Sequence, residues 1–411
     1  MTRRMYKIEG FRPVHPFPAR MAPSIALDEL PAATGSGLTV LDPMAGSGTT
    51  LVVARSRGHL AVGFDTDPLA RLISGVWCAD IKPTAVLKTA EQVHAAAAQR
   101  WRKIRQADAY PEGADEETRS LVRYWFDAVN RRQLRAIADE ISSIRDRARR
   151  NTLWCAFSRL IIAKARGASY AMDLSHSRPH RVLSKPPFRP LAGFLQAARM
   201  VVEHVPFSGV VTAPKAMIRR GDARSLPLGD GSVDVVITSP PYLNAIDYMR
   251  CNKFSLIWMG HRIPDLRELR SRNIGTEVSA NAGQEWLEKV TATAGNVGHL
   301  PARERRMLVR YVWDMNEVMS EIARVLAPDG RCIMVIGDCT MRGVFVRNSQ
   351  ILRRLGHRHG LRTVSTKVRE LPADRRYLPP PSSRDAGVSL QGRMREEIVL
   401  TMVASRAKSN P

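Results

Sequence analysis

Cysteine is scarce in this sequence of 411 residues, and no long hydrophobic run is present. The five cysteines are scattered without a Cys-x-x-Cys pair, which argues against a zinc ribbon or a disulfide framework and for reduced thiols in a cytoplasmic protein. No stretch approaches the roughly 18 to 20 apolar residues that cross a bilayer. Residues 1–11 carry charges but no apolar signal segment. We therefore expect an intracellular protein with no membrane partner and no bound metal.

Acidic residues are also fewer than basic residues, and this imbalance indicates a negatively charged partner. Lys and Arg number 63 against 39 Asp and Glu, which gives a formal net charge of +24. A charge of this size and sign favours association with a polyanion such as nucleic acid. A positive net charge can also serve solubility. The charge therefore indicates only a class of partner.

Short apolar runs alternate with helix-compatible stretches at both ends of the chain. A strand over 38–41 leads through a glycine-bearing loop to a helix over 51–57. This alternation predicts an α/β fold with a parallel sheet. The other predicted strands cover 60–64, 216–221, 233–238, 331–337 and 398–403. Residues 86–210 between them are rich in Ala, Arg and Glu and predict a mainly helical insertion, whereas 371–390 reads as a flexible loop.

The loop after the first strand contains two closely spaced glycines, Gly46 and Gly48, which let the backbone approach a ligand. A phosphate-binding P-loop would need Lys where Thr49 stands, and a dinucleotide fingerprint would need Gly where Leu51 stands. A ligand with a ribose, an adenine and an amino-acid tail remains, and S-adenosylmethionine has these parts. The alternative is that the two glycines make only a tight turn.

Two carboxylates suit the same ligand. Asp65 ends the second strand and can accept hydrogen bonds from both ribose hydroxyls, while Asp222 follows the third strand and can accept from the adenine amine. The alternative for Asp65 is a helix cap.

The most specific motif is Ser239-Pro240-Pro241-Tyr242, at the end of the apolar strand over 233–238. With the loop over 42–50 it resembles the amino-methyltransferase family of DNA modification enzymes. In that family Ser-Pro-Pro-Tyr is typical of the cytosine-N4 branch and Asp-Pro-Pro-Tyr of the adenine-N6 branch. The segment over 15–20 is similar to the family's element that packs beside the methionine part of the cofactor. The resemblance covers residues about 11–75 and 215–403.

This resemblance implies a Rossmann-like class I methyltransferase, with a twisted, mostly parallel seven-stranded sheet and a large helical insertion. The catalytic domain would comprise 11–85 and 211–405, and the insertion at 86–210 would be a candidate DNA-recognition region. The implied catalytic residues are Ser239, Pro240, Pro241 and Tyr242. The expected cofactor-binding residues are Phe17, Arg20, Asp42, Pro43, Ala45, Gly46, Ser47, Gly48, Thr49, Asp65, Asp67, Asp222 and Ala223.

The tetrapeptide suits an exocyclic amine, whose lone pair is shared with the ring. Two prolines stiffen a turn in which the Pro240 carbonyl can point outward. Together with the Ser239 hydroxyl it can accept both amine hydrogens, in bonds that strengthen as charge develops on nitrogen. Tyr242 offers a face on which an extruded base can stack. The alternative is a turn that merely ends a strand.

Recognition residues cannot be carried over, because the insertion lies between the second and third strands, unlike the familiar arrangement of the family. From charge and position we select Asn244, Asp247, Tyr248, Arg250, Lys253, Arg178, Arg181 and Lys185 as DNA-binding candidates. A solvated basic loop is the alternative for the last three.

The leading hypothesis is methylation of cytosine N4 in double-stranded DNA, by a solitary enzyme or one paired with a cognate restriction endonuclease. Such a protein would be associated with the nucleoid through its DNA. The rivals are methylation of adenine N6 in DNA or of a base amine in RNA, and a non-catalytic nucleic-acid-binding module. Ser rather than Asp at position 239 favours cytosine.

Overall fold

The structure is a computed structural model. It describes residues 10–17, 20–163, 167–172, 179–181, 183–207, 214–243, 248–275, 284–371 and 396–404. Of Met172 it describes the backbone alone. Within these ranges, no helix has both the length and the apolar character needed to cross a membrane.

Helices and strands alternate along most of the described chain. The α-helices are α1 (Pro23–Glu29), α2 (Thr49–Ser56), α3 (Pro68–Trp77), α4 (Pro83–Arg100), α5 (Glu116–Trp125), α6 (Ala128–Ser142), α7 (Arg147–Ile161), α8 (Pro190–His204), α9 (Tyr248–Leu256), α10 (Ile263–Ser271), α11 (Glu285–Ala292), α12 (Ala302–Val325) and α13 (Asn348–Arg358). The strands are β1 (Thr39–Asp42), β2 (Leu60–Asp65), β3 (Ala171–Met172), β4 (His180–Arg181), β5 (Met217–Arg220), β6 (Val233–Thr238), β7 (Leu326–Ile336), β8 (Cys339–Met341), β9 (Val344–Val346), β10 (Leu361–Glu370) and β11 (Glu396–Ala404). Short 3₁₀ helices span Trp101–Lys103, Gln106–Asp108, Ile257–Met259 and Val297–His299.

The chain forms two compact units. The first comprises Met1–Ala33, Ala45–Arg220 and Ile246–Arg270, and the second comprises Thr34–Met44, Gly221–Ala245 and Ser271–Pro411. The fold has a mostly parallel seven-stranded sheet, of which β1, β6, β7, β10 and β11 belong to the second unit and β2 and β5 to the first.

In the second unit the strand order is β10-β11-β7-β6-β1. β6 pairs in parallel with β1 on one side and with β7 on the other, while β11 runs antiparallel to both β7 and β10. Every residue of β6 is buried except Asp234, which is half-buried. A nearly continuous apolar strand of this kind is typical of a parallel sheet covered on both faces. The carboxyl ends of β1 and β6 therefore lie side by side, at the edge where open α/β sheets bind ligands.

In the first unit, aspartates and prolines mark where the insertion helices begin. Asp115, Asp127 and Asp146 stand at the N-caps of α5, α6 and α7, and each carboxylate accepts a hydrogen bond of 2.7–2.8 Å from a backbone N–H in the first turn. Caps of this kind contribute about 1 kcal/mol each. Pro83 and Pro190 open α4 and α8, where the missing N–H costs nothing. These aspartates and prolines thus mark in the sequence where the helices begin.

The predicted α/β fold, with a mostly parallel seven-stranded sheet and a large helical insertion, is confirmed. β6 has the predicted bounds, but β7 begins at Leu326 rather than Arg331. β7 contains an irregularity at Asp329, which has a φ of 63°, and its register with β6 shifts. β10 was not predicted, because an edge strand with alternating exposed polar residues lacks the apolar run of the buried strands.

The domain boundaries at 11–85, 86–210 and 211–405 stay a prediction. Of the predicted flexible loop over 371–390, all but Leu371 lies outside the described residues.

Candidate active site

The glycine loop connects β1 to α2, and its backbone N–H groups donate hydrogen bonds to the end of β2. In the first unit the Ala45 N–H donates to the Phe64 carbonyl at 2.9 Å, and the Gly46 N–H donates to Asp65 Oδ2 at 2.8 Å. Gly46 and Gly48 have φ values of 50° and 86°, in the left-handed region that favours glycine. The two glycines therefore shape a tight turn whose entry is tied to the end of β2.

Gly48 also makes a close contact with α3. A Cβ atom added to Gly48 would lie 2.6 Å from Ser74 Cβ and 2.9 Å from Ser74 Cα, so only glycine fits. Gly48 is the N-cap of α2, and this position makes no side-chain hydrogen bond to the helix. Ser47 and Thr49 beside it are buried, with their hydroxyl oxygens 3.3 Å apart. The first turn of α2 thus begins without a side-chain cap, because glycine has no side chain to supply one.

The two carboxylates after β2 have different surroundings. Asp65 is half-buried, and besides Gly46 it accepts a hydrogen bond from the Asp67 N–H at 2.9 Å. Asp67 is buried and caps α3 by accepting from the Leu69 N–H at 2.8 Å. Asn252 of α9 donates to the other oxygen of Asp67. Burial raises the pKa of Asp67, and these hydrogen bonds partly oppose that rise. Asp65 thus shapes the loop and Asp67 joins α3 to α9, while contact of either with a cofactor stays a prediction.

Asp222 lies in the second unit and is engaged by an arginine. Arg224 donates to both carboxylate oxygens of Asp222 at 2.7 and 3.0 Å. Burial acts to raise the pKa of Asp222, but the bonds from Arg224 outweigh it and hold the pKa below its usual value. Arg224 also donates to the buried Asp314 at 2.8 Å. Asp222 is therefore a fixed, ionised acceptor, and Ala223 beside it is buried.

The Ser-Pro-Pro-Tyr turn follows β6 directly, beside the end of β1. Thr238, the last residue of β6, donates its hydroxyl hydrogen to Asp42 Oδ1 at 2.7 Å. The same oxygen accepts a 3.2 Å bond from the Met44 N–H, which is the start of the glycine loop. Both Thr238 and Asp42 are buried, as is Pro43. Of the turn, Pro240 is buried while Ser239, Pro241 and Tyr242 are half-buried.

A buried tyrosine lies within electrostatic range of this turn. Tyr311 of α12 is 1% exposed, and its hydroxyl has no hydrogen-bond partner among the described residues. Burial raises the pKa of Tyr311, and the neighbouring groups Cys339, Tyr242 and Asp338 raise it further. A buried hydroxyl without a hydrogen-bond partner costs stability.

The segment before the glycine loop carries an aromatic contact in the first unit. Phe17 stacks on Tyr248 with ring centroids 5.4 Å apart and an interplanar angle of 7°. Arg20 donates to the His15 carbonyl at 3.2 Å. Phe17 was predicted to bind the cofactor and Tyr248 to bind DNA. In the structure these two side chains are in contact with each other.

The proposed DNA-binding residues are partly described. Three of them lie outside the described residues: Arg178, Asn244 and Asp247. Tyr248, Arg250 and Lys253 are on α9, where Arg250 is exposed and the other two are half-buried. Arg181 on β4 and Lys185 after it are both exposed. Their contact with DNA stays a prediction.

Sequence reasoning gave no role to Ser74, Thr238 or Tyr311. A signal existed for Thr238, because a polar residue at the end of a buried strand needs a hydrogen-bond partner. Ser74 and Tyr311 lie in helices, 26 residues from Gly48 and 69 from Tyr242 by sequence number, and nothing local marks either of them.

Comparison with known proteins gives one distant sequence relative. No family model matches the chain. The sequence is 20% identical over 393 residues to the type II methyltransferase M.MvaI of Kocuria varians, covering 88% of this chain and 84% of that protein.

Solved structures resemble the chain more loosely. An S-adenosylmethionine-dependent methyltransferase from Methanosarcina mazei aligns over 95% of this chain and 100% of its own, with 9% identity and a TM-score of 0.33. A candidate DNA modification methylase from Thermus thermophilus, complexed with S-adenosyl-L-methionine, aligns over 46% of this chain and 56% of its own, with 16% identity and a TM-score of 0.24. TM-scores this low establish no relationship between the structures.

Proposed function

We propose that this chain transfers a methyl group from S-adenosylmethionine to the exocyclic N4 amine of cytosine in double-stranded DNA. The hydrogen bond between Thr238 and Asp42 is the observation that supports this most. It joins the residue before the Ser-Pro-Pro-Tyr turn to the first residue of the glycine loop. A cofactor loop and a turn that binds the target amine have to begin at neighbouring strand ends for the two substrates to meet.

The chain's own groups suit the cofactor. The uncapped first turn of α2 can receive the carboxylate of the methionine tail, since backbone N–H groups at a helix N-terminus bind anions. Asp65 supplies carboxylate oxygens for the ribose, and Asp222 supplies an ionised acceptor for the adenine amine. When bound, S-adenosylmethionine supplies a methyl group on a sulfonium, which is activated without a metal.

The turn after β6 acts on the target amine. The Ser239 hydroxyl oxygen and the Pro240 carbonyl each accept one amine hydrogen, which draws the nitrogen toward tetrahedral geometry and frees its lone pair. Both bonds strengthen as positive charge develops on nitrogen, so the transition state is stabilised more than the ground state. The nitrogen forms one new bond to the methyl carbon as the sulfur–methyl bond of the sulfonium breaks, and it then releases one proton to solvent.

A base inside a duplex cannot reach this turn, so it must be extruded. Unstacking costs a few kcal/mol, and an aromatic face returns roughly 1 to 3 kcal/mol. Tyr242 is half-buried and follows the two prolines, which suits a stacking platform. The net charge of +24 favours the DNA backbone.

The likeness to a type II methyltransferase over most of both chains supports this function. Ser239 supports cytosine as the target, on the family pattern described above. The same turn can hold an adenine amine, so adenine N6 is the principal rival.

The test is to incubate the purified protein with isotopically labelled S-adenosylmethionine and unmodified DNA or RNA, then to identify the labelled nucleoside by mass spectrometry. We expect N4-methylcytosine from duplex DNA. N6-methyladenine would assign the rival function, and label in RNA alone would exclude DNA as substrate. The Ser239→Ala variant, purified in parallel, controls for contaminating methyltransferases.

A further inference from the structure

Arg181, on the two-stranded sheet of the insertion, contacts two tyrosine rings. Its guanidinium carbon is 4.8 Å from the ring centroid of Tyr124 and 4.5 Å from that of Tyr170. Arg181 is exposed, and the side chain of Tyr124 is 53% exposed. A guanidinium that lies over an aromatic ring is held by the ring and can still donate its N–H groups along its edges.

Backbone bonds hold this arrangement in place. β3 and β4 pair antiparallel, with Ala171 opposite Arg181. The Tyr170 N–H donates to the Trp125 carbonyl at 2.9 Å, and the Leu183 N–H donates to the Tyr170 carbonyl at 3.3 Å. The hairpin that carries Arg181 is therefore fastened to the end of α5, which carries Tyr124.

Arg181 differs from its arginine neighbours in charge balance. Arg123 pairs with Glu116, and Arg189 pairs with Asp127. Arg181 forms no ion pair within the described part of the chain. No carboxylate among the described residues therefore balances its charge, while its guanidinium contacts the two rings.

The stacked arginine is connected through aromatic packing to α9. Trp125, next to Tyr124, packs edge-on against Phe254 with centroids 5.1 Å apart. Phe254 is fully buried on α9, six residues after Tyr248, or about 9 Å along the helix axis. α9 begins six residues after Tyr242 in sequence. Within the first unit, Tyr124 is thus joined to α9 through its ring contact with Trp125.

We propose that Arg181, held against the rings of Tyr124 and Tyr170, binds a backbone phosphate of the DNA. The inference rests on the proposed function. An arginine fork binds phosphate through two parallel N–H···O bonds, and a side chain already held in place loses less freedom on binding. Contacts to phosphate position a protein on DNA and do not depend on base sequence.

The test is DNA affinity as a function of salt. Full-length protein is titrated against a fluorescent duplex of about 30 base pairs and arbitrary sequence, because a phosphate contact needs no recognition site. Arg181→Gln should lower the affinity about tenfold at low salt and reduce the slope of log K against log salt by about 0.9. Arg123→Gln on α5 removes the same charge from a paired arginine and should leave the slope unchanged.

Two further variants distinguish the effect of the tyrosine contacts from the effect of the arginine's charge. Arg181→Lys and Tyr124→Leu keep the charge count, so the slope should stay near that of the wild type while the affinity falls several-fold. Arg181→Lys also serves if Arg181→Gln fails to fold. A wild-type slope for Arg181→Gln, or equal effects of Arg181→Gln and Arg123→Gln, would overturn the inference.

This result is separable from the test of the proposed function, because binding is measured without turnover. If the wild type methylates DNA and Arg181→Gln binds DNA like the wild type, only the phosphate contact is wrong. If Arg181→Gln shows the expected change in slope but the wild type methylates no base, only the proposed function is wrong.

Discussion

Thr238 donates its hydroxyl hydrogen to the Asp42 carboxylate across 2.7 Å, although 196 residues separate them in sequence. Each residue ends a buried parallel strand, and the strands are neighbours, with Leu41 opposite Val236. The bond therefore fixes the relative position of two strand ends, from which the glycine loop and the Ser-Pro-Pro-Tyr turn leave the sheet.

Replacing Thr238 by Val should weaken this junction. Val keeps the branched shape but leaves the buried Asp42 carboxylate without that donor, and a hydrogen bond to a charged group contributes about 1.5–3 kcal/mol. We expect the free energy of unfolding in urea to fall by about 2 kcal/mol. Thr238→Ser retains the hydroxyl and is the matched control, with a smaller loss from the missing methyl group. Equal losses for the two variants would show that the hydroxyl does not stabilise the junction.

Gly48→Ala should destabilise the glycine loop. The new Cβ would meet Ser74 at 2.6 Å, and the φ of 86° costs a non-glycine residue about 1–2 kcal/mol before any clash. We expect a loss of more than about 2 kcal/mol in unfolding free energy and a large loss of S-adenosylmethionine affinity by calorimetry.

Gly75→Ala is the control for this variant. Gly75 is in the interior of α3, next to Ser74, and its added Cβ would enter open space. This change should stabilise the protein by up to about 1 kcal/mol. A Gly48→Ala protein as stable as Gly75→Ala would contradict the steric argument.

The sequence predicts well what local pattern determines. β6 is an uninterrupted apolar run that ends at two prolines, so both its bounds and the turn after it are visible in the sequence. Aspartate caps and helix-opening prolines likewise mark the insertion helices.

Long-range partners are not visible in the same way. The stack of Phe17 on Tyr248 joins segments more than 200 residues apart, and the two were predicted to have separate roles. Asp67 is a cap and a partner of Asn252 at the same time, which no local spacing reveals. Edge strand β10 was not predicted because it lacks an apolar run, and Leu361 alone of its residues is buried.

Ser239→Ala should separate chemistry from cofactor binding. Losing one acceptor for the target amine removes an interaction that strengthens in the transition state, so kcat should fall by about 10²-fold or more. S-adenosylmethionine affinity should stay near that of the wild type. Turnover equal to that of the wild type would remove the catalytic role assigned to this hydroxyl.

Asp65→Ala should show the opposite pattern. Asp65 accepts from the Gly46 and Asp67 N–H groups, so its loss loosens the loop as well as removing the proposed ribose acceptor. Calorimetry should show cofactor affinity at least about tenfold weaker, the equivalent of about 1.4 kcal/mol. An unchanged affinity would contradict both the ribose assignment and the importance of the loop anchor.

His15 should make the stability of the protein depend on pH. Its Nε2 is 2.9 Å from Ser158 Oγ, which donates onward to Ser255 Oγ at 2.8 Å. Ser158 therefore accepts from Nε2–H, and the buried Nδ1 has no partner among the described residues. Burial, followed by the charges of Arg159 and Arg20, holds the pKa of His15 well below its usual value, against the opposing effect of Ser158.

The sign of this effect follows from proton counting. As the pH falls below about 6.5, the unfolded chain protonates His15 while the folded protein does not, so the unfolded state gains protons and stability decreases. Between about pH 7.5 and 5.5 the wild type should lose up to about 1.4 kcal/mol more unfolding free energy than His15→Gln, which has no group to protonate there. The pKa values of His204, His261 and His359 are also lowered, mainly by burial. Both proteins contain these three residues, so their contributions to the pH dependence of stability cancel when the two proteins are compared. Urea titrations of both proteins at the two pH values provide the measurement, and parallel losses would mean that His15 is protonated in the folded state.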